Sequence, residues 1–336
     1  MEYINDFTET AVLPNLVRPI LLPHDSVEQE SSTRSFIEAN TVESSLFDIK
    51  RNHIIPVWLK DNEPLVSHTD FIETTQFVVQ DIFHDEHILK PIVRLSHPIK
   101  GRIPSAKDKP AHQLTDDERT ISYERMMFAI EVPSIKSVVD GNELSLTIGG
   151  VKSFSEDNLY QRSGGDQHFK LFIGFKNKVC TNLCVWSDGY VGNLSLKSKE
   201  DLYLATQVLL QRYNSGHHLF HLQKLSELSI TENQFAHLIG RCRMYQHLPN
   251  SLKQNIPPML FGENQMGAVV KDYYRDQSFC RQADGNINLW RLYNLFTGAN
   301  KSSYIDQFLD RSVNAYHFAE QLRWALEGRQ ENWYLN

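Results

Sequence analysis

The stretch that most constrains the fold is residues 168–196, HFKLFIGFKNKVCTNLCVWSDGYVGNLSL, which predicts three consecutive β-strands. In its first part, apolar side chains alternate along one face at Phe169, Leu171, Ile173 and Phe175. A period of two residues indicates a strand, because successive side chains of a strand point to opposite faces. We therefore expect this stretch to form the centre of a sheet.

The rest of the stretch predicts two further strands. Asn177 is expected at a tight reversal, because asparagine tolerates positive φ. Residues 178–186 then form a strand that is apolar on both faces, which indicates a central strand covered on both sides. Asp188-Gly189 is a hairpin signal, so residues 190–196 are predicted to return as the third strand.

Another hairpin is predicted nearer the N-terminus. Residues 121–132 fit a strand or a helix by periodicity alone. A strand is favoured, because Pro133 ends the segment and Asp140-Gly141 supplies a turn before the next strand. A short strand is also predicted at residues 53–59.

From residue 198 onward the pattern becomes helical. Ser198 and Thr231 are predicted N-caps, because each has a carboxylate or amide side chain three residues further on. An apolar helix at residues 287–296 and an amphipathic helix at residues 303–327 follow. The chain is therefore predicted to be α+β, with an antiparallel hairpin and meander core in its N-terminal half and a helical C-terminal half.

Three segments are predicted. Residues 1–50 are acidic, with prolines spaced through short apolar runs, and are expected to be an extended arm. Residues 51–197 form a β-rich domain, and residues 198–336 a helical region packed on it.

No apolar run approaches the roughly 20 residues of a membrane helix, and the first residues lack a secretion signal. We expect a cytoplasmic protein that does not contact membranes.

One local stretch reverses the overall charge. The chain has 34 basic and 41 acidic residues, and a net charge of −7 argues against coating nucleic acid by bulk charge. Between residues 90 and 112, in a loop kept irregular by Gly101 and Pro104, six basic residues outnumber one acid. Such a loop is a candidate phosphate contact, and the alternative is a solvated loop that balances the acidic arm. The six residues are Lys90, Arg94, Lys100, Arg102, Lys107 and Lys109.

Histidines are the first candidates for metal ligands. The run HDEH at residues 84–87 offers four ligands, but adjacent side chains diverge, so no metal site is predicted there. His217, His218 and His221 fit one helix at spacings that bring two imidazoles together. No glutamate joins them in an H-E-x-x-H pattern, so a polar helix face is the preferred interpretation.

The remaining motifs predict neither catalysis nor a cofactor. Cys180 and Cys184 are about 13 Å apart on the predicted strand, too far for a disulfide, and all four cysteines are expected to be buried and reduced. Residues 298–302, GANKS, differ from a P-loop because Asn300 replaces the glycine before the lysine and a helix precedes them. We expect a helix–turn–helix corner there.

In that corner, Gly298 is expected to end the first helix, and Ser302 or Ser303 to cap the next one.

Six segments carry a resemblance to one family. They are FIEANT (36–41), KDNEPLVSHTDFI (60–72), RLSHPIKGRIP (94–104), ISYERMMFAIEVPSI (121–135), FIGFKNKVCTNLC (172–184) and INLWRLYNLFTGANKSSYIDQFLDR (287–311).

Together these segments resemble a Bacteroidetes family of unknown function that is associated with conjugative transposons and other mobile elements. VCTN at residues 179–182 is also similar to a short stretch of a broader phage- and plasmid-like family. The resemblance implies a genomic setting and supplies no catalytic residues.

Two functions are therefore predicted. The first is a non-catalytic accessory factor in DNA transactions, such as single-strand binding, annealing or transfer, which uses the basic loop. The second is a protein-interaction module, such as an anti-defence or regulatory factor, which uses the N-terminal arm and the aromatic C-terminus WYLN.

Overall fold

The computed structural model describes residues 35–52, 66–157 and 166–336. The strand predicted at residues 53–59 and residues 1–34 of the predicted arm lie outside the described residues. The rest of the predicted arm, residues 35–50, includes a strand at Thr41–Ser44 and most of a helix at Leu46–Asn52. The strands are β1 (Thr41–Ser44), β2 (Ile92–Ser96), β3 (Ile99–Arg102), β4 (Arg119–Ser122), β5 (Arg125–Val139), β6 (Asn142–Ser153), β7 (Gln167–Asn177), β8 (Leu183–Leu196), β9 (Ser229–Ile230) and β10 (Ile287–Asn288). The helices are α1 (Leu46–Asn52), α2 (His68–Ile82), α3 (Lys199–Arg212), α4 (Ser215–Ser226), α5 (Glu232–His247), α6 (Asn250–Lys253), α7 (Glu263–Arg275), α8 (Leu289–Asn300) and α9 (Ile305–Leu326).

A six-stranded antiparallel sheet, in the order β1-β2-β5-β6-β7-β8, forms the centre of the fold. Two small sheets flank it, one made of β3 and β4 and the other of β9 and β10. Helices dominate the chain after β8, so the predicted α+β class is confirmed. In the part of the chain that the structure covers, no helix is long and apolar enough to cross a bilayer.

Both faces of the central sheet are buried. On β5, Phe128 and Ile130 join the large core formed with the helices. The alternate residues Met127 and Ala129 belong to a smaller core on the other face, which includes Phe308 of α9. Because both faces are covered, these strands are apolar throughout rather than alternating between apolar and polar residues.

The β5–β6 hairpin is confirmed. Asp140 and Gly141 have φ angles of 47° and 75°, and two successive positive φ values are the geometry of a tight hairpin turn. Pro133, however, does not end the strand. The pairing shifts between Val132 and Lys136, so the proline lies in a bulge, where its missing N–H is tolerated.

The hairpin predicted at Asp188-Gly189 is wrong, because β8 is one strand. Phe172 faces Tyr190 and Gly174 faces Val185, so residues 186–189 bulge opposite a single residue. A Cβ on Gly189 would lie 2.1 Å from the carbonyl oxygen of Ile173. The glycine therefore permits a close approach between two strands instead of a turn.

The strand predicted at residues 178–186 begins only at Leu183. Residues 178–182 form the turn after β7, and the positive φ of 59° lies at Thr181 rather than at Asn177. Both faces of the strand are covered as expected, but β8 is an edge strand and not a central one. All four cysteines are free thiols.

The helix N-caps are largely as predicted. The hydroxyl of Ser198 accepts a hydrogen bond from the Asp201 amide, and Thr231 forms a capping box with Gln234. The predicted end at Gly298 is wrong, since α8 continues to Asn300, whose side-chain amide donates to the carbonyl of Phe308 at 2.9 Å. This buried hydrogen bond joins α8 to α9 and favours the longer helix.

The predicted cap of α9 is also wrong. Tyr304 occupies the N-cap position without a side-chain cap. The hydroxyl of Ser303 instead donates to the Asn300 side chain at 2.8 Å. Ser303, which the local sequence predicts as a helix cap, therefore stabilises the packing of the corner instead.

Candidate functional site

The connector between β2 and β5 contains most of the predicted phosphate-binding residues. It is more regular than expected, because β3 and β4 pair antiparallel and Lys100 lies opposite Ile121. Short 3-10 turns fill the space between these strands. The Arg102 guanidinium donates to the carbonyl of Lys107 at 3.3 Å and to that of Lys109. Arg102 therefore closes the connector onto itself.

Arg94 is also occupied by an internal contact. Its guanidinium donates to the hydroxyl of Thr41 at 2.8 and 3.0 Å and to the Thr41 carbonyl at 3.1 Å. The side chain is 13% exposed, and Glu43 lies 3.5 Å away. Arg94 thus joins β2 to β1, and charge-assisted hydrogen bonds of this kind are among the stronger ones in proteins.

Lys109 is paired with a carboxylate. It contacts Glu118, which also accepts a hydrogen bond from the Thr115 amide in a capping box. The Lys109 hydrogen bond, with smaller contributions from Thr115, lowers the pKa of Glu118. Asp116 pairs with Arg119, which lies outside the predicted basic stretch. Glu118 follows residue 112, so the predicted basic stretch ended before the carboxylate that pairs with Lys109.

Lys90, Lys100 and Lys107 have a different environment. All three are exposed. No carboxylate of the described residues forms an ion pair with any of them. The structure therefore separates the six basic residues into three with internal contacts, Arg94, Arg102 and Lys109, and three that are exposed and can contact another molecule.

The side chains of the HDEH run do not converge on one point. His84 lies just beyond the end of α2, and its imidazole is 3.4 Å from the Asp85 carboxylate, with both side chains largely exposed. Across the described ranges, no group of three or more histidine, cysteine or acidic residues converges on one point. The second group of candidate ligands, His217, His218 and His221, lies on α4. There His218 is buried and His217 is exposed.

Lys301, the lysine of the P-loop-like segment, is buried. Its ammonium donates to the carbonyl of Cys180 and, at 2.9 Å, to the hydroxyl of Thr181. Its carbonyl accepts the amides of Glu38 and Ala39 at 2.8 and 3.1 Å. Lys301 therefore binds the β7–β8 turn and residues near β1, and its charge is not presented to a nucleotide.

The polar side chains of this corner make internal structural contacts, and its thiols are poor nucleophiles. Asn182 donates to the carbonyl of Asn294 on α8 at 2.9 Å. Burial raises the pKa of the Cys180 thiol to about 11, and burial also raises the pKa of Cys184. Because the thiolate is the nucleophile, thiols with raised pKa values react slowly at neutral pH.

Sequence comparison identifies the family. The family described as "Domain of unknown function, B. Theta Gene description (DUF3871)" matches residues 24–335. No curated protein and no solved structure matches the chain. The match covers nearly the whole fold and confirms the resemblance to a Bacteroidetes family of unknown function, whereas the association with mobile elements stays a prediction. The chain belongs to the DUF3871 family.

Proposed function

We propose that the protein is a non-catalytic accessory factor in DNA transactions of a mobile element, such as single-strand binding, annealing or transfer. The single observation that supports it is the set of exposed lysines without an ion pair in the described part of the chain, Lys90, Lys100 and Lys107. Free lysines are suited to phosphate, because they lose no internal ion pair on binding. Arg94, Arg102 and Lys109 then keep their internal contacts and do not contact DNA.

The test is DNA binding by a variant in which these three lysines are alanines. A matched control replaces Arg212, Lys271 and Arg275 by alanine, because these residues are exposed on other helices and the net charge falls by the same three units. Fluorescence anisotropy with labelled single- and double-stranded DNA, between about 50 and 200 mM salt, gives the affinity and its salt dependence.

We expect the lysine variant to bind more weakly and the control to bind like wild type. If three phosphate contacts are lost, the slope of log K against log salt becomes shallower by about 2 for single strands and about 2.7 for duplex DNA. Equal losses in both variants, or no binding of wild type to any DNA at low salt, would refute the proposal.

A second candidate is a protein-interaction module. The observation in its favour is an exposed apolar surface between α2 and α3, on which Phe77, Leu204 and Val208 are 61%, 56% and 57% exposed. A groove of about 640 Å³ lies there, with Glu200 at its edge. Clusters of exposed large apolar residues often mark binding surfaces. The surface fits an amphipathic segment of a partner protein with a basic residue opposite Glu200.

The aromatic C-terminus, by contrast, is packed into the fold. Tyr334 is fully buried, and its hydroxyl donates to the carbonyl of Pro257 at 2.6 Å. Replacing Phe77 and Leu204 by serine should abolish binding to a purified partner, while removing residues 1–34 tests the arm and leaves β1 in the chain. DNA binding that survives the serine variant and fails in the lysine variant would favour the first function.

A further inference from the structure

Two histidines of α4 meet on the protein surface. His217 and His221 are one helical turn apart, and their Nε2 atoms are 3.0 Å from each other. His217 is exposed, and the side chain of His221 is 18% exposed. The pair is therefore accessible to an ion from solvent.

A buried carboxylate on another helix orients one of these imidazoles. The Nδ1 atom of His221 lies 2.6 Å from Oε1 of Glu320 on α9, and Arg323 contacts the same oxygen at 3.3 Å. Because the carboxylate accepts the Nδ1 proton, the Nε2 atom of neutral His221 carries the lone pair and points toward His217. A carboxylate behind a histidine is a common arrangement at metal sites, where it fixes the ring and increases its basicity.

The neighbouring residues hold the pair in place without competing for a cation. The Trp186 ring packs 4.9 Å from the His217 ring and 5.4 Å from the His221 ring. His218 points into the core, where its Nδ1 atom lies 2.6 Å from the Tyr213 hydroxyl.

The separation of the two nitrogens fits metal chelation. Imidazole nitrogens bind divalent metals at about 2.0–2.1 Å, so two ligands at a right angle are about 2.9 Å apart and two tetrahedral ligands about 3.4 Å apart. The observed 3.0 Å matches neighbouring positions of a square-planar or octahedral ion. Copper(II) and nickel(II) prefer these geometries with nitrogen ligands.

We propose that His217 and His221 form a two-histidine binding site for Cu²⁺ or Ni²⁺, with Glu320 as its positioning residue. On binding, His217 moves its proton from Nε2 to Nδ1 by exchange with water, and both Nε2 atoms become ligands. Within the described ranges no third protein ligand joins the pair. The remaining coordination positions face solvent and hold water or a group from another molecule.

The test uses tag-free, full-length protein with CuCl₂ or NiCl₂ as the probe. Isothermal titration calorimetry gives stoichiometry and affinity, and quenching of tryptophan fluorescence by Cu²⁺ reports an ion close to Trp186. The variants are His217→Ala, His221→Ala and Glu320→Gln. The control is His84→Ala with His247→Ala, because both residues are exposed elsewhere.

We expect one high-affinity ion per chain, and at least a tenfold loss of affinity in each histidine variant. Glu320→Gln should weaken binding by about 10-fold or more, the range seen for other carboxylates behind metal-binding histidines. Trp186→Phe should remove most of the quenching, because this ring lies against both histidines. His217 is exposed, so its alanine variant should fold normally and serve as the decisive one. Binding that is unchanged in His217→Ala, or equally reduced in the control, would overturn the proposal.

Discussion

Replacing Asp157 by asparagine should destabilise the fold through the lysine that it neutralises. Lys152 and Asp157 are fully buried, with 3.1 Å between Nζ and Oδ2. The Lys152 ammonium also lies 4.0 Å from the centre of the Phe169 ring. Asparagine keeps the size of the side chain and can still accept the His168 amide, which donates to Asp157 at 2.6 Å. The change therefore removes the counter-charge and also places an amide donor where Oδ2 accepts from Lys152.

The expected loss is about 3–5 kcal/mol at neutral pH, the range for breaking one side of a buried ion pair. Desolvation already lowers the pKa of Lys152 from its ordinary 10.5, and Asp157 opposes this only in part. Without Asp157 the pKa of Lys152 falls further. The folded state then binds fewer protons than the unfolded state, so the loss grows as pH falls from about 10.5 and levels off below the folded pKa.

Urea unfolding followed by circular dichroism at pH 7 and pH 10 measures this effect. The loss in Asp157→Asn should be larger at pH 7 than at pH 10. A matched double variant, Lys152→Met with Asp157→Asn, removes both charges, keeps an acceptor for the His168 amide, and should be closer to wild type than the single variant. An equal loss at both pH values, or a double variant as unstable as the single one, would refute the reasoning.

Two further predictions concern the backbone and the thiols. Gly141→Ala should lower the free energy of unfolding by about 1 kcal/mol, because the φ of Gly141 is 75°. Gly267→Ala in α7 should raise the free energy of unfolding by about 0.5–1 kcal/mol, because the new Cβ meets open space. Urea unfolding midpoints of the two variants measure both effects. At pH 8 the thiol of Cys180, a partly exposed residue whose pKa burial raises to about 11, should react slowly with a thiol reagent. Cys280, which is also partly exposed, should react first, and Cys280→Ser should remove the fast phase. Rapid labelling of Cys180 would contradict its raised pKa.

Local patterns predicted several elements because the physical cause lies within a few residues. Asp140-Gly141 forms a turn wherever two strands flank it, and Thr231 with Gln234 satisfies the amides at the start of α5. The same signals mislead when a distant segment decides their use. At Asp188-Gly189 the neighbouring strand β7 continues past the signal, so the glycine serves a bulge.

The candidate sites depended even more on distant contacts. The sequence predicts that Arg94 is available to bind phosphate. In the structure its guanidinium donates to Thr41, which is 53 residues away. His221 and Glu320, which are 99 residues apart, meet only because α4 and α9 pack against each other. A search for an H-E-x-x-H pattern does not find this carboxylate, because it comes from another helix.

The sequence by itself determined the α+β class, the β5–β6 hairpin, the main helix starts and the family, since periodicity, turn residues and caps act over short distances. The tertiary structure decided which charges are free and which are occupied. It buried Lys301 against the β7–β8 turn, and it left Lys90, Lys100 and Lys107 in solvent. The physical reason is that the state of a charge depends on every group within a few ångströms, and the chain brings those groups together from distant positions.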